Sequence, residues 1–151
     1  MRIYLPATLA ELTGADLPSR LAHAVTPALR AALPEEDTEG LEYVALLLAA
    51  GDSLDLLDGV GPAGLRRVVV AGDVPDAAAT PAGEPDVPSR VLLTTALRWD
   101  AIASAHIDEA AAEPDVAAAR AGDADATERL EQRDLLWYDA SELVHLVANL
   151  A

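Results

Sequence analysis

The residues of this chain best suited to chemistry are His106, Asp108 and Glu109, in the segment Ala-His-Ile-Asp-Glu. If the segment is a strand, His106 and Asp108 share one face and Ile107 takes the other. An imidazole beside a carboxylate can act as a general base or form part of a metal site. A zinc site needs at least one more ligand, and His23, in another strand-like segment, is the candidate. The same residues equally suit a polar sheet face that meets solvent or a helix end.

Other motifs fail against the chemistry they would have to perform. Gly59-x-Gly61-x-x-Gly64 matches the dinucleotide fingerprint by letters. That fingerprint needs a strand before it and a helix N-terminus after it. Here the pattern predicts a helix before and a strand after, and Pro62 removes an amide, so the segment reads as a loop. Asp123-Ala-Asp125 opens like a calcium loop, but Glu128 stands where glycine is needed and Asp134 where glutamate is needed. An acidic helix start explains it better. No serine lies in a G-x-S-x-G turn, so no nucleophile is nominated. No cofactor pattern is present.

Leu136-Trp137-Tyr138-Asp139 is the candidate interaction segment. Trp137 and Tyr138 join large apolar bodies to polar tips, which suits an interface or a half-buried sheet edge. The cluster Glu35, Glu36, Asp37, Glu39, Glu42 reads as a solvated helix start, or as a docking patch for a basic partner.

Composition narrows the function classes further. The formal charge is −16, all ten basic residues are arginine, and cysteine is absent. A chain this acidic opposes counterion-release binding to nucleic acid. Lacking lysine and cysteine, it has no Schiff-base lysine, P-loop lysine, thiolate nucleophile or disulfide. The opening MRIYLPAT lacks a basic n-region and apolar h-region, and the longest apolar run, residues 44–50, is short of the ~20 residues of a membrane span. A cytoplasmic protein is expected.

The elements that must carry these residues follow from periodicity and punctuation. Strands are predicted at 2–5, 21–25, 66–71, 90–97, 103–108 and 135–138. Thr8 and Glu11 form a capping-box pattern ahead of a short helix at 8–13. Thr26-Pro27 starts another helix. The clearest helix is 39–58, whose core face is read as Tyr43, Leu47, Ala50, Leu54 and Leu57. Further helices are expected at 113–120, 125–133 and after Ser141, the last with a stripe of Leu143, Leu146, Val147 and Leu150. The β-branched run at 66–71 predicts a central strand. Residues 73–89, rich in proline, read as a connector. The strand–turn–strand pattern at 2–26 echoes that at 90–108 and suggests a duplicated β-α-β unit.

The segments MRIYLPAT, AVTPALR, RRVVVAGDVP, AHIDEA and LLWYDASEL resemble a family of small, acidic, functionally uncharacterised actinobacterial proteins. The resemblance implies an intact single domain and carries no assigned activity. The expected fold is α+β over residues 1–151: a mixed sheet of five or six strands with helices mainly on one face. The leading function is a noncatalytic interaction or regulatory protein, with a protein partner or a second copy of itself, no direct contact with nucleic acid, and no membrane. The alternatives are a small enzyme or metal-binding protein using His23, His106, Asp108 and Glu109, and an acidic mimic of nucleic acid.

Overall fold

A computed structural model describes residues 1–82 and 86–150, without the side chains of Val147 and Leu150. Among these residues seven strands form one sheet: β1 (Arg2–Ala7), β2 (Leu21–Ala24), β3 (Val68–Asp73), β4 (Ala79–Pro81), β5 (Arg90–Leu93), β6 (Ile102–Ile107) and β7 (Leu136–Asp139). Their order is β4-β5-β2-β1-β3-β6-β7, and every neighbouring pair is antiparallel. The expectation of a mixed sheet of five or six strands is therefore corrected to seven antiparallel strands. The extra strand, β4, is only three residues long and lies inside the predicted proline-rich connector.

The five α-helices among the described residues are α1 (Pro27–Ala32), α2 (Thr38–Leu54), α3 (Glu113–Arg120), α4 (Ala124–Glu131) and α5 (Leu143–Leu150). None is long and apolar enough to cross a membrane. The predicted helix at 8–13 shrinks to a single 3-10 turn, Leu9–Glu11. Glu11 still accepts the Thr8 N–H at 2.9 Å, but its carboxylate is also gripped by Arg20 at 2.7 and 3.0 Å.

β3 is an interior strand, as its unbroken β-branched run requires. The middle position belongs to β1. Both β2 and β3 run antiparallel to β1, so they are parallel to each other, and α1 and α2 make the crossover between them. The two strand–turn–strand segments are not equivalent units. β1 and β2 are neighbours, whereas β5 and β6 are separated by three strands.

The larger core lies on the sheet face carrying Ile3, Leu5, Val68, Val70, Ala105 and Ile107, packed under Leu9, Leu12, Leu97 and Leu143 of α5. The opposite face carries Tyr4, Val69 and Ala71 under α2. Here the reading of α2 needs correction. The residues it buries are Leu41, Ala45, Ala49, Ala50 and Ser53; of the predicted face Ala50 and, past the helix end, Leu57 are buried, while Tyr43, Leu47 and Leu54 are not. Small alanines let the helix axis approach the sheet closely, which the bulkier stripe would prevent. Asp37 caps its start, accepting the Gly40 N–H at 2.8 Å.

Ser53 shows how close that approach is. Its hydroxyl donates to the Ala7 carbonyl at 2.7 Å and accepts the Val68 N–H at 2.9 Å. Ala7 and Val68 are register partners of β1 and β3. The hydroxyl thus stands in for one rung of the ladder and ties α2 to the two middle strands. Ser53→Ala leaves a buried donor and a buried acceptor unpaired, at about 1–3 kcal/mol each. The expected loss, read by urea denaturation, is about 2–4 kcal/mol with the secondary structure retained.

Candidate functional site

β6 delivers His106 and Asp108 to the α2 side of the sheet, as alternation requires, but the two residues enter different environments. Asp108 is fully committed. Its carboxylate accepts Arg67 Nε and Nη2, both at 2.8 Å, and the Arg67 backbone N–H at 2.9 Å. Both residues are buried, with Arg67 4% and Asp108 1% exposed. Arg67 Nη1 also donates to the Leu130 carbonyl at the end of α4, at 3.2 Å. Glu109 pairs with Arg133 at 2.6 Å. His106 is partly buried, makes no hydrogen bond to a described residue, and has its imidazole pKa lowered from 6.5 by burial.

His23 lies elsewhere. It is on β2 and His106 is on β6, three strand intervals away, about 14 Å across the sheet. One ion cannot bind both. Among the described residues no three His, Asp or Glu side chains gather as metal ligands. His23 instead joins a chain the sequence did not disclose. Its Nδ1 lies 2.7 Å from Ser89 Oγ, and its Nε2 lies 2.6 Å from Asp52 Oδ2 on α2. Serine, imidazole and carboxylate are thus in line, but with the two ring nitrogens exchanged relative to a nucleophilic triad, where Nε2 faces the hydroxyl and Nδ1 the carboxylate. Moreover, Ser89 is 0% exposed and His23 is 1% exposed, so no substrate reaches the hydroxyl. The chain fastens α2 and the β5 approach to β2. The Ala24 N–H donation to the Ser89 carbonyl at 2.9 Å adds to that fastening.

The feature that best fits a ligand is a groove of about 470 Å³ between α2 and α4. Its apolar lining includes Val44, Leu47, Leu48, Leu54 and Leu130. Arg67 contributes to the lining, already neutralised by Asp108. Asp52 and Glu131 supply carboxylates to it. Glu131 has no ion-pair partner among the described residues. The volume lies within the ordinary range for binding sites. The groove follows from the α2 geometry: once alanines face the sheet, the larger residues of the predicted stripe are turned toward α4. The sequence did hold a signal for it. A helix apolar on more than one side needs a second burial partner.

Trp137, Tyr138 and Asp139 form the edge strand β7. Trp137 is 60% exposed, and Tyr138 packs against the larger core. Asp139 caps the turn into α5. The Ser141 hydroxyl donates to it at 2.6 Å and the Ser141 N–H at 3.0 Å, and the two bonds hold its carboxyl below the ordinary range. The loop at Gly59 and Gly61 has φ of 76° and 63° and runs from α2 toward β3, not from strand to helix. Asp123 caps α4, accepting the Asp125 N–H at 2.9 Å.

A family described as "Family of unknown function (DUF6912)" matches residues 1–147. No curated protein and no solved structure matches the chain.

Two outcomes follow from this geometry. Asp108→Ala strands a buried guanidinium and is expected to cost about 3–5 kcal/mol in urea denaturation. Pairing Arg67→Met with Asp108→Leu removes both charges and is expected to cost clearly less than the single change. Because burial lowers the His106 pKa, the unfolded chain binds the proton more readily. The stability contributed by neutral His106 is therefore complete above 6.5 and declines as pH falls below that unfolded value. His106→Gln is expected to flatten that limb of the stability–pH curve; an unchanged limb would assign it to other groups.

Proposed function

We propose that this chain, which belongs to the family of unknown function DUF6912, is a noncatalytic interaction protein that seats a cationic amphipathic segment of a protein partner in the α2–α4 groove. The carrying observation is the groove's composition: an aliphatic lining with the carboxylates of Asp52 and Glu131 and no unneutralised cation. An apolar stripe flanked by arginine or lysine complements such a surface, since an amphipathic helix lays its apolar face into a hydrophobic groove. The overall charge of −16 adds long-range attraction for a basic partner and repels acidic ones.

Two further observations support binding over chemistry. The reactive groups nearest the groove are already engaged: Asp52 through its Oδ2 alone with His23, and Arg67 with Asp108. Leu48 of the lining is itself exposed, and exposed Tyr43, one turn before Leu47 on α2, extends the apolar margin.

The test uses a fluorescently labelled Leu/Lys model helix, a scrambled peptide of the same composition, and a Leu/Glu version. Polarisation is expected to rise with the Leu/Lys helix only, and the affinity to fall with added salt as the rim charges are screened. Leu48→Glu changes a residue that is 39% exposed, so the fold is retained. Binding to that variant is expected to weaken about tenfold. Equal binding of the scrambled or acidic peptide, or an unaffected Leu48→Glu variant, would refute this reading.

A further inference from the structure

The two edges of the sheet are built differently. β4 is three residues long and ends in Pro81, which has no N–H to offer, as suits an edge protected from pairing. β7 has no proline and no charge before Asp139. Its Leu136 and Trp137 are 43% and 60% exposed.

Hydrogen-bond parity fixes which groups β7 leaves free. The Asp108 N–H donates to the Arg67 carbonyl at 3.1 Å, so Asp108, and with it His106 and Ser104, turns its backbone toward β3. Ala105 and Ile107 then turn toward β7, where their partners are Tyr138 and Leu136. Trp137 therefore points both its N–H and its C=O away from the sheet. The Asp139 N–H, of the same parity, is taken up by Glu142 at 3.2 Å. Trp137 is left as a donor–acceptor pair with no partner in the ladder, on an exposed strand.

We propose that β7 pairs with β7 of a second copy, antiparallel about a twofold axis at Trp137, to join two seven-stranded sheets into one. An isologous contact needs a surface complementary to itself. An outward residue offering one donor and one acceptor meets that condition, because Trp137 of each copy can exchange both bonds with the other. The register also removes the obvious objection from charge. With Trp137 opposite Trp137, Asp139 falls opposite Leu135 of the second copy and Tyr138 opposite Leu136. No carboxylate of the strand faces another. The remaining repulsion comes from the net charge of −16 on each copy, which acts at long range and is screened by salt. This contact uses an element separate from the α2–α4 groove, so either reading can fail alone.

Analytical ultracentrifugation across a dilution series tests it. The mass is expected to double from 15.7 kDa as concentration rises, and the dimer to tighten with added salt. Trp137→Pro removes an N–H that bonds to no described residue of the single chain, at an edge position where proline is tolerated. That variant is expected to keep its circular dichroism and to dimerise at least about tenfold more weakly. Trp137→Ala retains the N–H and is expected to lose less. Hydrogen exchange gives a second readout: the Trp137 amide is expected to gain protection with concentration, and it decides the matter if the proline variant does not fold. A wild-type protein of 15.7 kDa at every concentration and salt overturns the proposal. So does a proline variant that dimerises as well as wild type, or a Trp137 amide whose exchange ignores concentration.

Discussion

The buried pair of Arg67 and Asp108 is the constraint on which the arrangement turns. Two opposite charges leave water together, and each must recover there what it gives up. They do so through a two-pronged contact, a backbone N–H and the Leu130 carbonyl. That set of bonds locks the start of β3 to the end of β6 and both to the last turn of α4. It fixes where α4 stands over the sheet, and so the width of the groove between α4 and α2. It also leaves the carboxylate two residues from His106 with both oxygens already bonded.

The placement of α2 is the second determinant, and it rests on size. Alanines at 45, 49 and 50 bring the helix close enough for the Ser53 hydroxyl to enter the β1–β3 ladder. Asp52, one residue earlier, reaches the imidazole of His23 on the next strand over. A helix that spends its small residues on the sheet must place its large ones elsewhere, and Leu47, Leu48 and Leu54 appear on the groove side. Nearby phenols are tuned by the same crowding: burial and the Glu42 carboxylate push the Tyr4 hydroxyl up to about 12.

Much of the scaffold was legible in the sequence. Alternation gave β1, β2 and β6 to within a residue or two, the β-branched run gave an interior β3, and the Thr26 cap and the acidic helix start at 123–125 gave the starts of α1 and α4. What failed was information that depends on partners far along the chain. β4 is three residues next to prolines and has no pattern of its own; only pairing with β5 makes it a strand. The direction of neighbouring strands is a property of topology, and the parallel pairs that a mixed sheet would contain do not occur among the described residues. The α2 face was misassigned because a period of 3.6 shows that stripes exist, but not which one meets the sheet. His106 and Asp108 were correctly placed on one face. Arg67, which decides the fate of Asp108, carried no motif and sits 41 residues away. The same is true of Ser89, 66 residues from His23.

That separation has a bearing on how the chain is made. During synthesis Arg67 leaves the ribosome 41 residues ahead of Asp108, an interval of about 2–8 s at ordinary elongation rates. Leu130 follows later still. Until then the guanidinium has no counter-charge to take it out of water, and the beginning of β3 has no neighbour on one side. The three middle strands β2, β1 and β3 all lie within the first 73 residues, whereas β3 gains its second neighbour, and Arg67 its counter-charge, only once β6 and Asp108 have emerged.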